Sequence, residues 1–256
     1  MTQLDRTTRE LLAAMEVPPA KGMPPAEFVV APATIADAAE VLAVASVAGL
    51  AVTPWGGGTH RGIGYSTEPS IVLSTENFTS IVDWQREDLT VVVEAGVRVA
   101  DLESMLAGEG QTAVLPETPG ESTIGGTLAV GASAWRRLRY GPTRDRVLEV
   151  VAATGDGRVV RSGAPVVKNV TGYDIPRLMV GSLGGLGLIG RVCLKLWPAA
   201  MTTATVAVAD AVAAFRTAFR PLAVLETEEG SAVYLGGTAN EVEAQAEELG
   251  ADARAG

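Results

Sequence analysis

Two glycine-rich stretches constrain this chain more than any other feature: Pro54-Trp55-Gly56-Gly57-Gly58-Thr59-His60 and Pro116-Glu117-Thr118-Pro119-Gly120-Glu121-Ser122-Thr123-Ile124-Gly125-Gly126. Each follows a short apolar run that reads as a strand. Consecutive glycines let backbone N–H groups turn inward together and let another group approach the main chain closely. Two such loops in a chain of 256 residues suit a long, anionic, two-ended ligand.

The length allows one large domain or two smaller ones. Hydrophobic and charged fractions of 47% and 20% are those of a soluble globule, and 5% aromatics leave small aliphatic residues to fill the core. A net charge of −10 argues against a primary nucleic-acid role, which needs Lys and Arg in excess. The single cysteine, Cys193, excludes intrachain disulfides and cysteine-based metal or iron–sulfur sites. It sits in the strand-like run Arg191 to Leu196 and reads as a buried thiol. No basic segment followed by an apolar one opens the N-terminus, and the most apolar stretch, Val41 to Val52, is too short for a membrane span. The expected location is cytoplasmic.

Leu4 to Met15 carries a helical pattern, and residues 1–24 read as a helix with a proline-rich linker. Phe28 to Val30 reads as a strand, Thr34 with Asp37 as a capped helix start, and Leu50 to Thr53 and Ser70 to Leu73 as further strands. That order suggests a small, largely parallel unit. Ile81 to Trp84 with Leu89 to Glu94, and Arg146 to Thr154 with Arg158 to Val160, read as hairpins. An amphipathic helix from Ala100 to Leu106 and a strand from Leu188 to Leu196 complete an α+β domain over residues 25–199. The tail, 200–256, reads β-α-β-β-α, with its first helix running from Ala211 to Phe219. That is a partial ferredoxin-like cap lacking its last strand.

Amides from Gly56 to Thr59, with the Thr59 hydroxyl, could donate to phosphate oxygens, each charge-assisted bond contributing about 1.5–3 kcal/mol. In the second loop the Ser122 and Thr123 hydroxyls could cap the helix that Gly125 and Gly126 enter, or donate to a phosphate or ribityl group. Taken together, the loops favour a ligand, and a flavin dinucleotide fits. A literal G-x-G-x-x-G from Gly185 to Gly190 tempts a nicotinamide reading, but it precedes a strand instead of opening a helix. His60 is the only histidine, which argues against a Ser-His-Asp triad or a multi-histidine metal site, and no metal is expected. It could bond a flavin covalently, act as a base, or be a solvated loop residue. Arg136, Arg137, Arg139, Arg144 and Arg146, interleaved with Trp135 and Tyr140, form a basic island: a solvated loop or an anion-binding patch.

Three segments resemble the FAD-binding E subunits of bacterial glycolate oxidase, within the vanillyl-alcohol-oxidase type of flavoprotein with a PCMH-type FAD-binding domain. They are Ala132 to Asp145, Val166 to Leu178, and Gly181-Ser182-Leu183-Gly184 with Leu186-Gly187. The resemblance covers roughly Phe28 to Pro198. It implies two α+β subdomains with FAD between them. The positions it assigns to the cofactor lie within Gly56 to His60, Glu117 to Thr123, Val130 to Ser133 and Leu183 to Ile189. With the glycine loops they make a cofactor set of Gly56, Gly57, Gly58, Thr59, His60, Pro116, Glu117, Thr118, Gly120, Ser122, Thr123, Gly125, Gly126, Val130, Ala132, Ser133, Gly184, Gly185, Leu186, Gly187 and Ile189. Relatives with covalent flavin carry histidine where Thr59 stands, so non-covalent FAD is expected. Leu183 and Gly185 replace residues that are commonly acidic and threonine.

Related 2-hydroxy-acid dehydrogenases place histidines and an acidic residue in a C-terminal region, and no histidine follows Pro198 here. The resemblance therefore implies a sibling FAD-containing catalytic subunit, with this chain relaying electrons towards an iron–sulfur subunit. The expectation is an FAD-dependent oxidoreductase: the FAD-binding subunit of a glycolate-oxidase-like complex oxidising a small 2-hydroxy acid. Rival readings are a self-sufficient FAD oxidase of a small alcohol or acid, and a flavin-less structural partner of a larger flavoprotein. No catalytic base is identifiable; His60, Lys168, Tyr173 and Arg139 are the candidates.

Overall fold

The computed structural model describes residues 5–64, 68–116, 120–166, 172–228, 230–250 and 254–255. Helix α1 (Arg6–Ala14) opens on Asp5, whose carboxylate accepts the Thr8 N–H. Strand β1 (Phe28–Val30), helix α2 (Ile35–Ala48) and strands β2 (Val52–Trp55) and β3 (Ile71–Ser74) follow. Helix α2 begins where the sequence places it. Thr34 accepts the Asp37 N–H, the Asp37 carboxylate accepts the Thr34 N–H, and Gly49 closes the helix in the left-handed region. The α2 crossover lets β1 and β2 run in the same direction, and the order is β1-β3-β2 with every pair parallel. β2 starts later than Leu50 because the Leu50 N–H still serves the helix end, donating to the Ala45 carbonyl at 2.8 Å.

Next come β4 (Ile81–Gln85), β5 (Thr90–Glu94), α3 (Val99–Ala107), β6 (Gln111–Thr112), α4 (Ile124–Val130) and α5 (Arg137–Tyr140). After a 3-10 turn (Thr143–Arg146) the chain forms β7 (Val147–Ala153), β8 (Val159–Gly163), α6 (Ile175–Met179), β9 (Leu188–Lys195) and β10 (Trp197–Pro198). Both expected hairpins form, and β9 inserts between them to give an antiparallel sheet β4-β5-β9-β7-β8. One face of that sheet buries Val91, Val93, Val192 and Leu194 against Leu102 and Leu128 of α3 and α4. Each such burial is worth about 1.5–3 kcal/mol. A second core lies under α2, and Ala153 and Leu188 of the antiparallel sheet reach into it, so the two layers share apolar contact.

The tail folds as β11 (Thr202–Val208), α7 (Ala211–Thr217), β12 (Ala223–Thr227), β13 (Gly230–Gly237), α8 (Ala239–Glu248) and β14 (Arg254–Ala255). Its antiparallel order is β12-β13-β11-β14, with both helices packed on a separate core around Val206, Val233 and Leu235. The sequence expectation leaves out a last strand, whereas β14 pairs with β11 at Ala204 and Thr205. α7 stops before the expected Phe219. Ala218 is extended and Arg220 takes φ 49° immediately before Pro221, a residue that disfavours helix at its predecessor.

Candidate functional site

The first glycine loop leaves the parallel sheet at the end of β2. The Thr75 N–H and hydroxyl both donate to the Trp55 carbonyl, at 2.9 and 3.2 Å, and fix where the chain departs. Gly58, at φ 66°, curls the loop back over the Trp55 ring. The amides of Gly56 through His60 are half-buried, and among the described residues none donates to an acceptor. Half-buried N–H groups without partners are costly unless an anion or water meets them.

The second loop lies directly against the first. Val99 donates to the Ser122 carbonyl and Ile124 to the Val97 carbonyl, both at 2.9 Å, which seats the loop beside α3. Arg98 reaches Glu121 at 2.8 Å. Gly57 rests on the Glu121 main chain so closely that a Cβ there would overlap the Glu121 carbonyl, and Gly56 touches the Thr123 side chain. The Thr59 and Ser122 hydroxyls are 2.8 Å apart, and His60 Nδ1 lies 3.1 Å from Thr59 Oγ1. Thr123 accepts the Gly126 N–H at 3.2 Å, filling the capping role, while Gly125 donates to the Ala95 carbonyl at 2.7 Å. The Ser122 and Thr123 amides lack acceptors among the described residues. Gly120 is exposed; Glu117 and Thr118 lie outside the described residues.

Helix α4 joins this pair to the third glycine cluster. Gly181 and Leu183 donate to the Leu128 and Ala129 carbonyls at 3.0 and 2.8 Å, and Gly184 packs on the Pro54 side chain. Gly185 and Gly187 close local turns onto Ser182 and Gly184; Leu186 is exposed, and Ile189 is buried within β9. The G-x-G-x-x-G run thus opens a strand. Val130, Ala132 and Ser133 follow at the C-terminal end of α4. The Ala132 carbonyl accepts the Thr143 hydroxyl, and the Ser133 hydroxyl accepts the Thr143 N–H at 3.2 Å, so both hold the 3-10 turn. All three glycine segments therefore meet around one short helix.

The described catalytic candidates stand on separate segments. His60 sits in the first loop, Tyr173 is 90% exposed, and Lys168 lies outside the described residues. Arg139 donates to the Gly236 carbonyl at 2.6 Å and so binds α5 to the C-terminal sheet. Trp135 meets Tyr234 edge-on at 4.9 Å across the same junction. Beside it a cleft of about 470 Å³ is lined by Pro116, Arg136, Tyr140, Tyr234, Thr203 and Glu103, among others. Pro116 links this cleft to the second glycine loop.

Behind the cleft Arg146 is 2% exposed, donating to the Gly141 carbonyl at 3.1 Å and lying over the Trp197 ring. Burial, then the nearby Arg136 charge, bring its pKa down to about 10. Sequence reading missed Tyr234, Trp197 and Glu103, which come from separate elements and carry no motif. Cys193 is buried, and its thiol is pushed up to about 12 by burial and then by Glu149, so it is inert. Among the described residues no His/Cys/Asp/Glu group has the makings of a metal site, and no helix is long and apolar enough to cross a membrane.

Residues 26–163 match the family model described as an FAD binding domain. The chain belongs to that family. Its cofactor is FAD. It is similar to glycolate oxidase subunit GlcD of Bacillus subtilis (36% identical over 194 residues, 73% of this chain and 40% of that one). It is also similar to a D-lactate dehydrogenase of Archaeoglobus fulgidus (34% over 188 residues, 72% and 42%). Glycolate oxidase subunit GlcE of Escherichia coli is 38% identical over 122 residues, 46% of this chain and 34% of that one. The chain spans well under half the length of each of these relatives. Among solved structures, an alkyldihydroxyacetonephosphate synthase superposes with a TM-score of 0.70 at 16% identity, covering 88% of this chain and 49% of the other, a likeness of fold.

Proposed function

We propose that this family member holds FAD non-covalently where its glycine loops meet, and serves as the flavin-binding part of a cytoplasmic enzyme oxidising a small 2-hydroxy acid. One observation carries the reading: the half-buried amides of Gly56 to His60, with those of Ser122 and Thr123, have no acceptor within the described chain. Such a donor set fits a diphosphate, and Gly57 leaves no room for a side chain that would block it. Bound FAD supplies a two-electron acceptor. The protein's part is to grip the phosphates and hold the ring towards the cleft at Pro116. Arg136, Tyr140 and Tyr234 are among the residues that line it, types that suit a small carboxylate.

Similarity to relatives named as glycolate oxidase subunits D and E supports assembly with a sibling flavoprotein subunit, and we extend that to an iron–sulfur subunit. Within this reading residues 25–199 form the two-subdomain PCMH-type domain, 1–24 a leading helix and linker, and 200–256 a ferredoxin-like cap whose β-α-β-β-α-β order and sheet β12-β13-β11-β14 suit that class.

The test is a visible absorption spectrum of the purified chain before and after acid precipitation. The expected result is flavin absorbance that passes wholly into the acid supernatant. A protein that stays colourless after incubation with FAD overturns cofactor binding here, and absorbance left in the pellet overturns non-covalent attachment.

A further inference from the structure

Where α5 meets the C-terminal layer, a groove of about 310 Å³ lies between α5 and α7. Leu138, Arg139, Phe215, Ala218, Arg220 and Pro221 line it. Its apolar rim stands open to solvent: Leu138 is 45% exposed, Phe215 51% and, beside them on the chain, Phe219 73%. Solvent-facing phenylalanines clustered with a leucine around a concavity are unusual on a monomer surface and mark an interaction site. Arg220 lines the groove, and Arg137 and Arg216 adjoin its lining residues Leu138 and Phe215 in the chain. Arg137, Arg216 and Arg220 are exposed, and among the described residues none pairs with a carboxylate. This occurs in a chain whose net charge is −10, where carboxylates are in excess. Arg220, itself a lining residue, takes φ 49° immediately before Pro221, a strained backbone.

We infer that this groove docks an acidic segment of a partner protein, one that inserts apolar side chains between Leu138 and Phe215 and sets carboxylates against Arg137, Arg216 and Arg220. The shape favours a polypeptide over a bilayer, since a groove receives a protruding side chain whereas a membrane receives a protruding one from the protein. A groove that sets exposed Leu138 and Phe215 beside Arg220 is complementary to acidic amphipathic segments.

The experiment uses the full chain and two labelled synthetic helix-forming peptides with leucine and phenylalanine at helical spacing, one carrying glutamate and the other lysine at the remaining positions. Fluorescence anisotropy should show binding of the glutamate peptide, weakening with salt, and none of the lysine peptide. The double variant Phe219→Ser with Arg220→Glu should lower the affinity by about tenfold or more. Both positions are exposed and neither belongs to the glycine loops, so unchanged flavin retention and thermal midpoint certify the fold. Equal binding of both peptides, no binding of the glutamate peptide, or full affinity in the variant overturns the inference. So does sedimentation with phosphatidylglycerol vesicles, or self-association, that the variant abolishes without any effect on peptide binding; each would assign the face to another occupant.

Discussion

Gly57 and Glu121 approach main chain to main chain, and no side chain heavier than hydrogen fits between them. Gly57→Ala must therefore push the two loops apart, an overpacking that costs about 1–3 kcal/mol and misplaces the amides of both. We expect the variant to fold but to emerge from gel filtration with little flavin absorbance; a normally yellow preparation would separate the first loop from cofactor binding. The residue types here were legible beforehand, since three successive glycines have few other uses. The division of labour between neighbouring hydroxyls was not. Thr123 caps α4 while Ser122 turns to Thr59, a difference set by a partner 63 residues away in the chain. Arg139 belongs with these: its basic run leaves open a solvated loop or an anion-binding patch, and in the structure it bonds the Gly236 carbonyl and ties α5 to the C-terminal sheet.

Elements with local signals were readable. The capping box of Thr34 and Asp37 announces α2, and the helix buries Ala38, Val41, Leu42 and Ala45 beneath it. Thr34→Ala removes one side of that box and should cost about 1 kcal/mol, visible as a lowered denaturation midpoint with flavin content unchanged. No change in midpoint would mean that packing alone holds the helix start. Helix α5 escaped notice because four residues, Arg137 to Tyr140, carry no period. It is held instead by Arg139 on Gly236 and by Tyr140 stacked edge-on against Trp197 at 5.6 Å. Strand β14 is equally silent in sequence, two residues paired to β11.

Across the whole molecule, the C-terminal layer is fastened to the rest by Arg139 on Gly236 and Trp135 on Tyr234, an aromatic contact worth about 0.5–1.5 kcal/mol beyond its buried area. Replacing Arg139 and Tyr234 together by alanine should loosen that layer and admit protease near the exposed Met201, while the glycine loops keep their flavin. Limited proteolysis followed by mass spectrometry and an absorbance reading would check both halves of the expectation. Loss of flavin in step with cleavage would instead make the layer part of the cofactor's enclosure.

Backbone-level demands are written locally, so the residues alone determined the parallel unit, the hairpins and the loops able to cradle an anion: glycine runs, caps and alternation act within a few positions. Which loops face one another, which arginine guards a cleft and which merely ties two layers were decided by tertiary structure. Those choices depend on close packing between segments far apart in sequence, and a one-dimensional pattern carries no record of that distance.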